Sequence, residues 1–283
     1  MTELIFGLAN RVEPYGLSSK SSRHNFDLET VYSHGIDIFD GALAYPWLDS
    51  DIDYINDLGN TATCFTKVDS SQISLTDIIK HINQFNMSYL RGIYYHGNVM
   101  ADNFFSSYIQ LYNLARDLDI PIGISIYNQD DARKLSSLPV SYDFIQLPVN
   151  PAFLDLAETL SFLKPCTLVA RSIFLQGAYF QFQKLPTQLK SFIIHQIQLF
   201  NLGTPNNSDD LLDFLVNYSL DFCKMYNFEY IIYSTSEIQR LASFINTFTK
   251  ACNKPSRPPI LYHPYCHQKF CSFHDPRTWK HLK

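Results

Sequence analysis

A carboxylate, a phenol, an ammonium and an imidazole recur early in the chain. Asp40, Tyr45, Lys67 and His96 each stand at the C-terminal end of an apolar, strand-like run or just past it. The runs are Gly35-Ile36-Asp37-Ile38-Phe39-Asp40, Thr63-Cys64-Phe65-Thr66-Lys67 and Leu90-Arg91-Gly92-Ile93-Tyr94-Tyr95-His96. A tyrosine near its usual pKa of about 10 is a poor proton donor at neutral pH, and a neighbouring ammonium stabilises its phenolate. Lys67 can supply that charge. A buried ammonium needs a counter-charge, and Asp40 ends the preceding run. His96 can donate a hydrogen bond to a carbonyl oxygen. The set suits protonation of an oxygen while hydride arrives at its carbon.

Groups so far apart in sequence meet only if the runs that carry them lie side by side and point the same way. An α/β barrel does this, gathering the ends of successive strands onto one catalytic face. Short apolar runs alternate with longer amphipathic segments along the chain, the pattern of repeated βα units. Strands are predicted near 5–8, 36–39, 63–66, 92–95, 122–125, 144–146, 167–170 and 230–232. Helices are predicted over 74–85, with Ile78, Ile79 and Ile82 on one face, and over 104–118, with Tyr108, Leu111, Tyr112 and Ala115. Segments 209–226 and 236–248 carry the same spacing. The expected fold is a (β/α)8 TIM barrel over residues 1–252, with an insertion at about 177–208 and a tail, 253–283, packed on the barrel.

With 283 residues and 46% hydrophobic content, the chain can bury one large core. A formal net charge of −5 argues against non-specific nucleic-acid binding, which depends on concentrated Lys and Arg. No uninterrupted apolar run approaches the roughly 20 residues that span a bilayer, and no basic leader precedes an apolar core at the N-terminus. The cysteines, at 64, 166, 223, 252, 266 and 271, are scattered as free thiols in a reducing compartment would be. A cytoplasmic protein with no membrane and no nucleic-acid partner is expected.

Phe39-Asp40-Gly41-Ala42-Leu43-Ala44-Tyr45, followed by Phe65-Thr66-Lys67 and Tyr94-Tyr95-His96, resembles the aldo-keto reductases in residue type, order and spacing. Pro121 to Asn128 is similar to the family's fifth-strand signature, Phe144 to Asn150 to its sixth-strand segment, and Val169 to Gly177 to its seventh. The resemblance implies an aldo-keto-reductase-like barrel acting on a small-molecule carbonyl substrate. Tyr45 would be the general acid, Lys67 and Asp40 its tuning pair, and His96 the group that orients the substrate. It also implies NADPH or NADH, bound without a Gly-x-Gly-x-x-Gly fingerprint. Ser125 and Gln146 would then hold the nicotinamide carboxamide, Arg171 and Ser172 would approach the pyrophosphate, and Ser234 and Arg240 would serve the far end of the cofactor. Trp47, with Tyr179 and Phe180 of the insertion, would wall the substrate pocket. Tyr15-Gly16-Leu17 and Phe174-Leu175-Gln176-Gly177 look closer to bacterial-type members associated with sugar metabolism, which favours a polar, sugar-derived carbonyl.

The departures from the family pattern are Gly41 for its Thr, Pro46 for its Gly, Ile126 for the Asn that follows the fifth-strand Ser, and Tyr233 for a Gly. They keep a second reading open, a barrel that retains the tetrad but serves as a binding or regulatory subunit. A third is a barrel enzyme of other chemistry. In the tail, His263, Cys266, Cys271 and His274 offer the ligand types of a zinc site. Their spacing departs from the common fingers and the segment is too short to fold alone, so no metal is expected.

Overall fold

Parallel strands buried on both faces are near-continuous apolar runs, and that is how the strands of this chain read. The computed structural model describes residues 2–9, 26–44, 47–151, 153, 156–177, 187, 190, 191, 194 and 208–254. Its strands are β1 (Glu3–Gly7), β2 (Ile38–Asp40), β3 (Thr63–Val68), β4 (Leu90–Tyr95), β5 (Ile122–Ser125), β6 (Phe144–Pro148), β7 (Thr167–Arg171) and β8 (Tyr230–Tyr233). They close in sequence order into an all-parallel barrel, with β8 beside β1. Around them lie α1 (Leu28–Ser33), α2 (Asp49–Leu58), α3 (Leu75–Ile82), α4 (Phe104–Asp117), α5 (Gln129–Ser136), α6 (Leu156–Ser161), α7 (Ser208–Met225) and α8 (Ile238–Cys252). The predicted insertion lies largely outside the described residues, and so does the tail beyond Lys254.

The interior of the barrel is a packed core rather than a pore. Ile5, Ile38, Phe65, Tyr94, Val169 and Tyr230 form one buried cluster there. The Phe65 ring lies 5.5 Å from that of Tyr94, 5.4 Å from Phe144 and 6.0 Å from Tyr230. Glycines make room for it: a Cβ at Gly92 would press on Phe65 and Phe144 at 3.2 Å, and one at Gly123 would strike the Tyr94 ring at 2.6 Å. On β3 the side chains of Phe65 and Lys67 share a face, because strand residues alternate. The aromatic plug is therefore the floor of whatever Lys67 belongs to.

A second, larger cluster fills the space between strands and helices. On α3 the sequence expectation is partly overturned. Ile78 and Ile82, one turn apart, are fully buried, but Ile79 is 38% exposed, because a single helical step rotates a side chain by about 100° off the buried stripe. Ser74 caps that helix by accepting the Asp77 N–H at 3.2 Å. α8 runs on to Cys252, past the predicted end, because Ala251 extends the buried face of Leu241 and Phe244.

His81 of α3 is buried against Phe85 and shares a 2.8 Å hydrogen bond with Thr66 Oγ1 on the outer face of β3. Burial pushes its pKa down, from 6.5 to about 4. The folded state therefore holds this imidazole neutral where the unfolded chain would protonate it. Its contribution is complete above the unfolded value and is lost as pH falls through 6.5 toward 4. At one pKa unit per 1.36 kcal/mol this is about 3 kcal/mol of acid destabilisation. His81→Gln should flatten the melting-temperature profile in that window, and an unchanged slope would show that other groups drive it.

Candidate active site

The C-terminal ends of the strands bring the predicted polar residues together. Asp40 ends β2 and Lys67 is the penultimate residue of β3; they are 4% and 3% exposed and form a direct ion pair through Oδ2 and Nζ. Gln146 of β6 donates through Nε2 to the same Asp40 oxygen at 3.4 Å, and its Oε1 accepts from the Ser125 hydroxyl of β5 at 3.3 Å. A polar chain, Lys67–Asp40–Gln146–Ser125, thus crosses the lumen above the aromatic plug. Asp40 Oδ1 is buried with no hydrogen-bond partner. Burial raises the Asp40 pKa against the pull of Lys67, and burial lowers that of Lys67 against the pull of Asp40. Each group sustains the other's charge.

His96 follows β4, fixed by its N–H to the Val68 carbonyl at 2.8 Å. Its Nε2 lies 3.3 Å from the hydroxyl of Tyr127, and the two rings lie at 20° to each other. Tyr127 was not singled out by sequence. Its one signal is an aromatic ring two residues beyond Ser125, at the mouth of β5. The Arg171 guanidinium, from the last residue of β7, lies 4.2 Å over the Tyr127 ring. It donates from Nη2 to the Ile126 carbonyl at 2.7 Å and from Nη1 to the Ser172 hydroxyl at 3.1 Å. Ser172 has φ +54°, a left-handed conformation costly for a residue with a Cβ. The buried Asn150 amide donates to its carbonyl at 3.0 Å.

Other expected residues stand elsewhere. Asn128, the nearest substitute for the missing asparagine, caps α5 by accepting the Asp131 N–H at 2.9 Å. Ser234 lies just past β8 with its hydroxyl buried and unpartnered. Arg240 is exposed on α8 and pairs with Glu237 at 3.0 Å. The Tyr233 ring stacks on Phe244 of α8 at 3.8 Å, so this replacement of a family glycine points away from the lumen. Tyr45, Tyr179 and Phe180 lie outside the described residues. Among the described residues no cluster of His, Cys, Asp or Glu could hold a metal ion, and no helix is long and apolar enough to cross a membrane.

Trp47, expected in the pocket wall, is 6% exposed and packs edge-on against Phe85 at 5.0 Å. A Cβ added at Gly41 would overlap its indole. Since Asp40 faces the lumen, the strand alternation turns position 41 outward. The indole therefore occupies the outer layer, in the space a side chain at 41 would need, and the structure does not bring it beside the Lys67–Asp40 pair. Gly41 and Trp47 are mutually adapted. Gly41→Ala should cost about 1–3 kcal/mol by overpacking, and Gly41→Ala with Trp47→Leu should recover part of it. Simple additivity of the two changes would show that they do not share the space.

No family model and no curated protein matches the chain. Solved structures do. An aldo-keto reductase from Bacillus halodurans, in its holo form, is 14% identical with a TM-score of 0.59, over 90% of this chain and 88% of that one. One from Brucella melitensis is 13% identical with a TM-score of 0.55, over 98% and 91%. An archaeal fructose 1,6-bisphosphate aldolase is 10% identical with a TM-score of 0.50, over 88% and 91%. The chain has the (β/α)8 barrel fold that aldo-keto reductases share. The aldolase makes plain that the barrel alone does not choose a chemistry.

Proposed function

We propose that this barrel is an NAD(P)H-dependent oxidoreductase that reduces an aldehyde or ketone to an alcohol, with Tyr45 as the proton donor. The observation that carries the reading is the Lys67–Asp40 ion pair, buried at the strand ends. A buried ion pair with an unpartnered carboxylate oxygen is a poor stabilising device, and scaffolds do better with apolar residues there. It suits a site that must hold an ammonium near a phenol. Tyr45 would give its proton to the carbonyl oxygen, Lys67 would stabilise the phenolate left behind, Asp40 would keep Lys67 charged, and His96 would direct the oxygen.

The residues fit a nicotinamide cofactor. Gln146 uses one donor and one acceptor in long hydrogen bonds, leaving a second of each for a carboxamide, with Ser125 beside it. Buried Ser234 Oγ, just past the end of β8, is a donor without a partner, as a phosphate oxygen would require. When bound, the reduced nicotinamide supplies the hydride.

The test is titration of intrinsic fluorescence with NADPH and with NADH. Saturable quenching by both is expected, with dissociation constants within about tenfold, because Arg240, the nearest candidate for a 2′-phosphate, is exposed and already paired. A preference far above a hundredfold, roughly the limit for one charged contact, would require a phosphate clamp beyond Arg240. Ile126 and the capping role of Asn128 favour the second reading, a binding barrel without turnover. No quenching at millimolar cofactor would remove the reductase reading and favour the binding barrel.

A further inference from the structure

The cationic flank of the mouth is more than the reductase reading uses. Wherever the shared proton sits, the Lys67–Asp40 pair sums to zero charge. Arg171 then adds a positive charge that no ion pair among the described residues cancels. It acts on both partners, though less than burial and less than they act on each other, lowering the Asp40 pKa and disfavouring the charged form of Lys67. On the same flank the Asp131 carboxylate accepts the Tyr127 N–H at 2.8 Å and stands in the first turn of α5. No described carboxylate forms an ion pair with Arg171.

The guanidinium is also held. The Ile126 carbonyl, the Ser172 hydroxyl and the Tyr127 ring fix its plane from three sides, and Asn150 fixes the strained Ser172 that supplies one of them. Its Nε is buried and has no partner. A planar donor fork, pre-set and carrying spare N–H groups, is the geometry that takes a carboxylate or phosphate in two-point contact. Through Tyr127 it is linked to His96, the group that would orient the reacting oxygen. In a nicotinamide dinucleotide a ribose separates the reacting ring from the pyrophosphate. The Tyr127 ring, between Arg171 and His96, sets the guanidinium on the side of the mouth where the reacting oxygen would be oriented.

We propose that Arg171 recognises an oxyanion, a carboxylate or phosphate, carried by the carbonyl substrate itself, so that the chain reduces anionic carbonyl compounds in preference to neutral ones. The proposal rests on the reductase reading for the word substrate, but the anion site is testable without turnover. Calorimetric titration of the full chain would compare pyruvate with hydroxyacetone, and dihydroxyacetone phosphate with dihydroxyacetone. In at least one pair the anion should bind about tenfold or more tighter, the range for a charged hydrogen bond. Arg171→Gln should bring that ratio close to one. Arg171→Lys, which keeps the charge and loses the fork, should lower it severalfold, and decides the matter if the glutamine variant does not fold. A ratio near one in both wild-type pairs overturns the proposal, as does a ratio unchanged by the substitutions. So does an Arg171→Gln protein that loses NADPH affinity while keeping its anion preference, for the fork would then belong to the cofactor. Anion binding that needs Arg171 in a protein that never oxidises NADPH leaves the site standing and removes the reductase reading. Turnover of neutral carbonyls with no anion preference does the reverse.

Discussion

Lys67→Met should lose most of its turnover and a large part of its stability in one step. The substitution keeps the length of the side chain and deletes the charge, so Asp40 is left buried with neither carboxylate oxygen facing a cation on β3. Breaking a buried pair in this way costs about 3–5 kcal/mol. At 2–4 °C per kcal/mol for a chain approaching this size, the melting temperature should fall by roughly 10 °C. The variant should also acquire a pH signature. Burial already raises the Asp40 pKa, and without Lys67 nothing comparable opposes it. A carboxyl whose folded pKa is raised is best tolerated below its unfolded value and costs more as pH rises toward the folded one. The deficit should therefore be smaller near pH 4–5 than near neutrality, where Asp40 would be forced to ionise unpaired. Asp40→Asn combined with Lys67→Met should restore much of the melting temperature and none of the turnover, because the first is a matter of unpaired charge and the second of the missing ammonium. A Lys67→Met protein that melts like the wild type would mean that water reaches the pair.

What the sequence made legible follows from which physics is local. Each strand announces itself as a short apolar run because a parallel strand is buried on both faces, and the strand ends predicted for Asp40 and Lys67 put them in one lumen. Side-chain alternation puts Phe65 and Lys67 on one face of β3. It could not disclose that Tyr127 and Arg171, from β5 and β7, would stack into a single unit, since a cation–π contact across strands has no signature in either segment. The left-handed backbone at Ser172 is equally silent, because the residue there is not the glycine that such a φ usually selects. Trp47 was expected at the pocket wall from its nearness to Tyr45 in sequence; its indole fills the space that a side chain at Gly41 would need and packs on Phe85. The glycine that departs from the family pattern was itself the clue, since a missing side chain in a packed layer must be filled by a neighbour. Tyr233 departs from the same pattern, and its ring stacks on Phe244 away from the lumen.

Tyr45→Phe is the substitution on which the proposed chemistry turns. Two residues before Tyr45 the chain is anchored on β3, where the Leu43 N–H donates to the Lys67 carbonyl at 2.9 Å. Removing the hydroxyl should lower kcat by at least about a hundredfold, the lower range for loss of a general acid. Binding of NADPH or NADH should stay within about twofold, because a proton donor acts in the transition state and not on the bound cofactor. The melting temperature should hardly move, in contrast to Lys67→Met, since a phenylalanine leaves no buried charge behind. The pH dependence carries the sharper message. If Lys67 tunes Tyr45, the wild-type rate should fall as the phenol ionises at high pH, and that limb should vanish from the residual activity of Tyr45→Phe. Full turnover in this variant against a carbonyl that the wild type reduces would take Tyr45 out of the mechanism, and the buried ion pair would then have to act on substrate directly.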